Sequence, residues 1–389
     1  MAKIFLKKNE ERRIKNGHLW IFSNEIKTAE GEAQNGDIIE AYDSSNKLLG
    51  HGFYNRYSLI SVRLLAPYFS DSIEIYIRTA LLKAYSYRQL VYPSRNSFRL
   101  AFSESDSLPG LIIDKYNDTY VMQVYSAGMQ KNIEHIIRVL VEEFKAKNIF
   151  TKNESYFRKL EGLEEKDEVY LGERAEEIID DGSIKYKIDP VTSQKTGFYF
   201  DQCDNRNYIE QFIYGKNVLD AFCNSGGFGF HAMKAGAGQV TFVDSSETEI
   251  KNAKQNYELN SFDRNHEFVT GDVFEYFKKC IFENTKYEVV ILDPPAFAKS
   301  KKSLPTALKG YVKLNRLALQ CTSENGFLIT SSCSHHVSKE NFISTVNAAS
   351  LKSDRMLQLI HFAGASLDHP VLPAMEETSY LKFAVFRVC

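Results

Sequence analysis

Val218-Leu-Asp220 runs into Ala221-Phe-Cys-Asn-Ser-Gly-Gly-Phe-Gly229, and the reading of this stretch decides the fold. It reads as an apolar strand that breaks into a glycine-rich turn and then a helix. Such a turn lets a ligand approach the backbone closely and presents helix amide groups to it. The spacing is not G-x-G-x-x-G, which argues against a dinucleotide. Phe222, Ser225, Gly226, Gly227 and Phe228 are the candidate contacts in the turn. The next strand ends at Asp244-Ser245, where a carboxylate can accept both hydroxyls of a ribose. Ser246-Glu-Thr-Glu249 then reads as a capping box opening a helix. A third strand ends at Gly271-Asp272-Val273, a place for a carboxylate that accepts an adenine amino group. One such acid would be read as a cap or a surface residue. Asp220, Asp244 and Asp272 ending consecutive strands point to an adenosine-bearing cofactor.

The pattern extends outward. From about Tyr186, strands at 217–222, 239–244, 267–271, 287–293 and 326–331 alternate with helices near 228–235, 246–259, 306–322 and 338–350. Two more strand-like runs, 356–363 and 380–388, follow. Alternation of this kind predicts a mostly parallel sheet covered by helices, an α/β fold of the Rossmann-like class over residues 185–389. Upstream, residues 1–67 read as a small β-rich domain, with Gly36–Tyr42, Lys47–Gly50 and Leu59–Leu65 separated by turn residues. Pro67 and Ser70-Asp71 mark its end. A central α/β domain, 72–184, opens with a helix from about Ser72 to Val91 and holds strand-like runs at Gly110–Asp114 and Tyr120–Tyr125. A second helix is expected from Asn132 to Lys147.

Bulk properties exclude more than they assign. With 43% hydrophobic and 25% charged residues, the chain has the composition of an ordinary globular protein. Met1 is followed at once by Lys3, Lys7 and Lys8, and no apolar stretch has the length of a signal peptide or membrane span. Six scattered cysteines include no C-x-x-C pair, which argues against a zinc site or disulfide framework and for a cytoplasmic protein. The net charge is −2, so any nucleic acid would have to meet a local basic face. The first fifteen residues, with six Lys or Arg against two Glu, provide one.

Two segments carry chemistry. Strand four ends in Ile291-Leu-Asp293-Pro294-Pro295-Ala296-Phe297. The paired prolines remove two backbone donors and stiffen the strand exit, leaving Asp293 in a fixed place to hold a base by its exocyclic amine. Gly326-Phe-Leu-Ile-Thr330 breaks into Ser331-Ser-Cys333-Ser334, which sets a thiol at a strand exit where ligands of open α/β sheets bind. Carbon 5 of cytosine or uracil is a poor nucleophile. Addition of a thiolate at carbon 6 gives an enamine-like intermediate whose carbon 5 can attack an electrophilic methyl group. His335 and His336 follow, and either could serve as a base. Cys223, in the glycine turn, is the competing thiol; Cys280, Cys321 and Cys389 read as filler.

The chain resembles, essentially end to end, the bacterial large-subunit rRNA cytosine-C5 methyltransferases with an N-terminal PUA domain, the RlmI-like family. The resemblance rests on Arg13-Ile-Lys-Asn-Gly-His-Leu-Trp-Ile-Phe-Ser-Asn-Glu25, Leu108-Pro-Gly-Leu-Ile-Ile-Asp114, Gln194-Lys-Thr-Gly-Phe-Tyr-Phe-Asp-Gln202 and Asp204-Asn-Arg206. It continues through D-P-P-A-F, S-S-C-S, Asp368-His-Pro370 and Tyr380-Leu-Lys-Phe383. It implies a PUA-like RNA-binding domain, a linker domain, a class I methyltransferase domain, S-adenosylmethionine as donor and 23S rRNA as acceptor, and it leaves room for a homodimer. Carried over by position, Cys333 is the nucleophile and Asp293 the acid that orients the base. Lys195 to Gln202 would lie over the cofactor, with Lys195, Thr196 and Phe200 as contacts. Ser225 stands where a Thr is usual, and Cys203 replaces a usual basic residue after Asp-Gln.

The resemblance gives the basic residues a task. Lys7, Lys8, Arg12, Arg13 and Lys15 would hold phosphates without reading sequence. Lys299, Lys301 and Lys302, with Pro294, Pro295 and Phe297, would border the target base, which has to leave its stack. Alternatives are an exocyclic N-methyltransferase on RNA using Asp293-Pro-Pro, a uracil-C5 enzyme sharing the thiol, a nicotinamide dehydrogenase, and a non-catalytic RNA-binding assembly factor.

Overall fold

The β-rich module folds as a six-stranded sheet of β1 (Lys3–Leu6), β2 (Trp20–Phe22), β3 (Ile26–Glu30), β4 (Ile38–Tyr42), β5 (Leu48–Tyr54) and β6 (Ile60–Leu64). The strand order is β2-β6-β5-β4-β1-β3, antiparallel except where β1 meets β4. Alternating burial along β4 puts Ile39 and Ala41 inside with Ile4, Leu6, Ile21 and Val62. A short helix, α1 (Arg12–Lys15), joins the first two strands. The structure, a computed structural model, describes residues 1–66, 69, 72–173, 176–190, 196–298 and 300–389.

A five-stranded sheet follows, in the order β11-β10-β9-β8-β7, from β7 (Ser97–Phe102), β8 (Leu111–Tyr116), β9 (Thr119–Val124), β10 (Asn148–Thr151) and β11 (Val169–Leu171). Helix α2 (Ile73–Val91) starts at Ser72, whose side chain accepts from the Ile75 amide. It packs with α4 (Ile133–Glu142) over Leu100, Ile113, Met122 and Ile149. The helix expected from Asn132 to Lys147 is shorter because Lys145 has a φ of 56° and the chain turns there. Two small helices, α3 (Ala127–Lys131) and α5 (Ser155–Leu160), complete this layer.

Both sheets belong to one compact unit, Met1–Gly182 with Ile188–Phe200 and Leu367–Thr378. Inside it, one cluster pairs buried charges across the two sheets. Arg63 reaches Glu104 at 2.8 Å and Glu161 at 3.0 Å, and Trp20 Nε1 donates to Glu104 at 2.7 Å. Ser58 and Asn55 donate to Glu161. The segment Leu367–Thr378 is held in the same manner. The Asp368 carbonyl accepts from Arg88, its carboxylate accepts from the Arg99 amide, and the His369 ring lies 5.0 Å from that of Phe102. Short strands β12 (Glu177–Asp180) and β13 (Lys185–Ile188) lie where the chain passes to the second unit.

The second unit, Ser183–Lys187, Asp201–Ser366 and Ser379–Cys389, is built on a seven-stranded sheet. Its strands are β14 (Asn217–Ala221), β15 (Gln239–Asp244), β16 (Asn265–Thr270), β17 (Tyr287–Leu292), β18 (Thr322–Ser332), β19 (Leu357–Ala363) and β20 (Lys382–Val388), ordered β16-β15-β14-β17-β18-β20-β19. Neighbours from β16 to β18 run parallel, and β20 is antiparallel to both β18 and β19. Helices α6 (Cys203–Ile209), α7 (Gly227–Lys234), α8 (Glu247–Leu259), α9 (Val273–Phe282), α10 (Leu304–Cys321) and α11 (Lys339–Leu351) cover it. Leu219, Val290, Leu328, Phe277, Tyr311 and Phe342 pack into a core cluster of this unit. Burying each such side chain contributes about 1.5–3 kcal/mol, which is why the apolar runs read so clearly as strands. Strand order reverses between β14 and β17. In open α/β sheets that switch point opens a crevice at the carboxyl ends of the strands. No described helix is long and apolar enough to cross a membrane.

Candidate active site

β14 ends in a turn held open by its own backbone. Phe222 and Asn224 have φ of 64° and 49°, and Gly226, at 94°, is the N-cap of α7. A bulky aromatic residue with positive φ is a strained position of the kind that collects at binding sites. The strain is held by amide bonds from Phe222 and Cys223 to the Val243 carbonyl and from Asn224 to the Asp244 carboxylate at 3.0 Å. Gly229 faces Phe242 so closely that a Cβ would lie 2.0 Å from the ring, so a larger residue would push α7 off β15.

The three strand-end acids occupy different environments. Asp220 is 1% exposed; Oδ2 accepts from the Gly229 amide at 2.7 Å, and Oδ1 has no hydrogen-bond partner. Burial pushes its carboxyl up to about 7 against the pull of the Gly229 amide. Asp244 is half-buried, and its second oxygen accepts from Ser246 N–H at 2.9 Å. That bond occupies the donor a capping box would offer Glu249, so only half the box forms, with the Ser246 hydroxyl accepting from the Glu249 amide. Asp272 is exposed and caps α9 through the Glu275 amide, with Val273 buried behind it and Ser245 exposed beside Asp244. Ser225 is half-buried; Gly226, Gly227 and Phe228 are buried. An orphaned buried carboxylate oxygen, an opened backbone turn and a half-exposed acid on the next strand fit an adenosine-bearing cofactor at this end of the sheet.

The D-P-P loop and the S-S-C-S segment are knitted together. Ser331 Oγ donates to Asp293 Oδ1 at 2.6 Å, and Gln202 Nε2 donates to the same oxygen at 3.0 Å. Asn205 holds Gln202 in turn, donating to its Oε1 at 2.7 Å. Burial raises the Asp293 carboxyl above its ordinary value, opposed by Ser331 and reinforced by Asp201. Ser332 donates to Tyr311 OH at 2.9 Å, and Ser334 Oγ accepts from the Ala298 amide at 3.2 Å. Phe297 lies against Tyr311 with ring centroids 4.5 Å apart. Between these pinned serines Cys333 is half-buried, with Sγ 3.9 Å from the Pro294 carbonyl. The strand exit thus presents one thiol to the loop that carries Asp293, Pro294 and Pro295. Cys223 is buried, and burial together with Asp220 and Asp244 raises its thiol well above the ordinary range, so it is no nucleophile. Cys203, Cys280 and Cys321 are buried as well. Among the described residues no group of His, Cys, Asp or Glu could hold a metal ion.

Thr196 and Phe200 lie in the first unit, where Thr196 Oγ1 donates to Asp114 and Phe200 stacks on Tyr116 at 5.3 Å. Lys195 and Lys299 lie outside the described residues. At the basic N-terminus, Arg13 is tied to Glu25 and Lys15 to Asp43, while Lys7, Lys8 and Arg12 are exposed. Sequence reasoning did not single out the partners of Asp293 and Ser332. Gln202 and Ser331 sit inside segments already read, but their bonds depend on long-range placement; Tyr311 gives no signal beyond helical periodicity.

Comparison with known proteins agrees with this architecture. Residues 4–67 match the PUA-like domain family, and residues 166–387 match the family described as S-adenosylmethionine-dependent methyltransferase. Curated relatives named ribosomal RNA large subunit methyltransferase I include one from Aliivibrio fischeri, 36% identical over 392 residues, and one from Aeromonas hydrophila, 36% identical over 393, each covering 99% of both chains. Among solved structures, a putative methyltransferase complexed with SAH superposes with a TM-score of 0.85 over 100% of both chains at 22% identity. A putative SAM-dependent methyltransferase from Streptococcus mutans gives 0.84 with the same coverage and identity. These two show the fold.

Proposed function

This chain belongs to the S-adenosylmethionine-dependent methyltransferases, with a PUA-like domain at its N-terminus, and from that premise we propose that it methylates carbon 5 of a cytosine in 23S rRNA through a Cys333 adduct. The observation that carries the reading is the Cys333 thiol, half-buried at the exit of β18 and 3.9 Å from the Pro294 carbonyl of the D-P-P loop. The relatives' printed name supports large-subunit rRNA as acceptor. Exposed Lys7, Lys8 and Arg12 suit phosphate contacts that position RNA without reading it.

Bound S-adenosylmethionine supplies an electrophilic methyl sulfonium. The glycine turn and Asp244 are the residues that would hold it, with Asp220 behind the turn. Cys333 thiolate adds to carbon 6, and the electrons of the 5,6 double bond move to carbon 5, which becomes the nucleophile. After methylation a base takes the carbon 5 proton, the double bond re-forms, and the thiolate leaves. Asp293 uses Oδ1 for Ser331 and Gln202. Its other oxygen remains to accept from the exocyclic amine of a base flipped out of its stack. In this reading the six-stranded sheet (1–67) carries RNA, 72–184 links, and 185–389 performs the transfer.

Mass spectrometry of nucleosides from rRNA of cells lacking the gene, with purified protein added back, tests the proposal. Loss and recovery of 5-methylcytidine is the expected result. A missing N-methylated nucleoside would move the chemistry to Asp293 alone, a missing 5-methyluridine would change the base, and no change would leave an RNA-binding protein without this reaction.

A further inference from the structure

Lys382 is a buried cation with no carboxylate partner among the described residues. It is 6% exposed, and its ammonium donates to the Ser334 carbonyl at 2.6 Å and the Tyr380 carbonyl at 2.7 Å. The β18–β20 register sets Lys382 opposite Ser332. Its side chain therefore runs from the residue before Cys333 to the carbonyl of the residue after it. The two carbonyls use two of three ammonium protons, and among the described residues no ion pair uses the third. Neighbouring acids are engaged elsewhere, Asp201 with Tyr380 OH at 2.6 Å and Asp293 with Ser331 and Gln202. The His335 ring lies 5.1 Å from that of Tyr380.

We propose that Lys382 is a positioning residue whose ammonium group stabilises the thiolate of Cys333. The inference rests on Cys333 being the nucleophile. An ordinary thiol is a few per cent thiolate at neutral pH, and the protein has to supply a charge that favours the anion. The proton that leaves Sγ passes to solvent, and the ammonium keeps its own. Burial pushes Lys382 down to about 8, and a negative Cys333 pulls it back up. At pH 7 the lysine is therefore still a cation. A merely structural lysine, by contrast, would matter only for pinning the two carbonyls.

The two roles separate by substitution, read by iodoacetamide labelling of the full chain at pH 7 without RNA, with peptide mapping of Cys333. Lys382→Gln keeps a donor and drops the charge, Lys382→Met drops both, and Lys382→Arg keeps the charge. The half-buried Cys389 is the internal reference for an intact fold. An opposite charge at close range shifts a titration by about 1–3 units, so Gln and Met should label Cys333 about tenfold more slowly or worse, with Arg restoring most of the rate. A wild-type rate in Lys382→Gln overturns the proposal. So do equal losses in the Gln and Arg variants, which assign the lysine to pinning. Because labelling needs no RNA, its outcome is independent of which base is methylated. An active Cys333→Ala enzyme would remove the nucleophile reading itself.

Discussion

The charge cluster around Arg63 in the first unit and the groups around Asp293 in the second handle burial in opposite ways. In the first, Arg63 lies between Glu104 and Glu161, and Trp20, Ser58, Ser103 and Asn55 donate to the two carboxylates. Burial alone would raise Glu104, yet Arg63, Ser103 and Trp20 hold it below its ordinary value. In the second unit Asp220, Asp293 and Lys382 are buried or half-buried without a salt bridge. Burial moves each towards its neutral form. A network of paired charges holds sheets together, whereas ionisable groups left partly unmatched in a crevice are groups with something still to bind.

The sharpest way to break this contrast is Cys333→Ala. Methyl incorporation should vanish while calorimetric titration with S-adenosylmethionine gives an unchanged affinity; retained turnover would return the site to a non-covalent mechanism. Next comes Arg63→Met, which strands two buried carboxylates in the first unit. Urea unfolding should show a loss of about 3–5 kcal/mol, and adding Glu104→Gln with Glu161→Gln should recover much of it. A loss below 1 kcal/mol would mean the network is not the paired structure described.

Asp220→Asn tests the other side. A native carboxyl near 7 keeps a proton that the unfolded chain releases from about pH 4 upward. Stability therefore falls as pH rises through that window. The Asn variant lacks this fall and should be more stable than wild type at pH 8 by up to about 4 kcal/mol, with the gain disappearing below pH 4. Melting curves at both pH values decide it, and a gain that persists at pH 4 would have another source. Smallest is Asp272→Ala, where loss of the α9 cap should cost about 1 kcal/mol in thermal unfolding.

Local chemistry explains what the sequence made legible. The strand expected at 239–244 is β15 itself, and the helix expected at 246–259 differs from α8 by one residue at its start. Apolar runs bounded by Ser246, Asp272 and the glycine turn are signals held within a few residues. The expected strand at 326–331 begins instead at Thr322, because α10 ends at Cys321 and the chain enters β18 without a break. What stayed hidden needed distant partners. Lys382 lies opposite Ser332 through a register across more than forty residues, and Gln202 reaches Asp293 across 91 positions. That Cys333 and the D-P-P loop lie at strand exits was legible because strand exits advertise themselves, whereas the network that pins them does not.

The grouping of Leu367–Thr378 with the N-terminal unit sets a timetable for synthesis. Arg88 and Arg99 wait for Asp368, and they are translated far ahead of it. Translation at 5–20 residues per second takes roughly 10–40 s to pass from Gly182 to Thr378. During that interval the first unit has emerged with part of its interior still unmade. A protein arranged this way finishes its N-terminal half only after most of its catalytic sheet exists. Nascent chains stalled before residue 367 should therefore be cut by protease within the first unit, and the released full-length chain should resist.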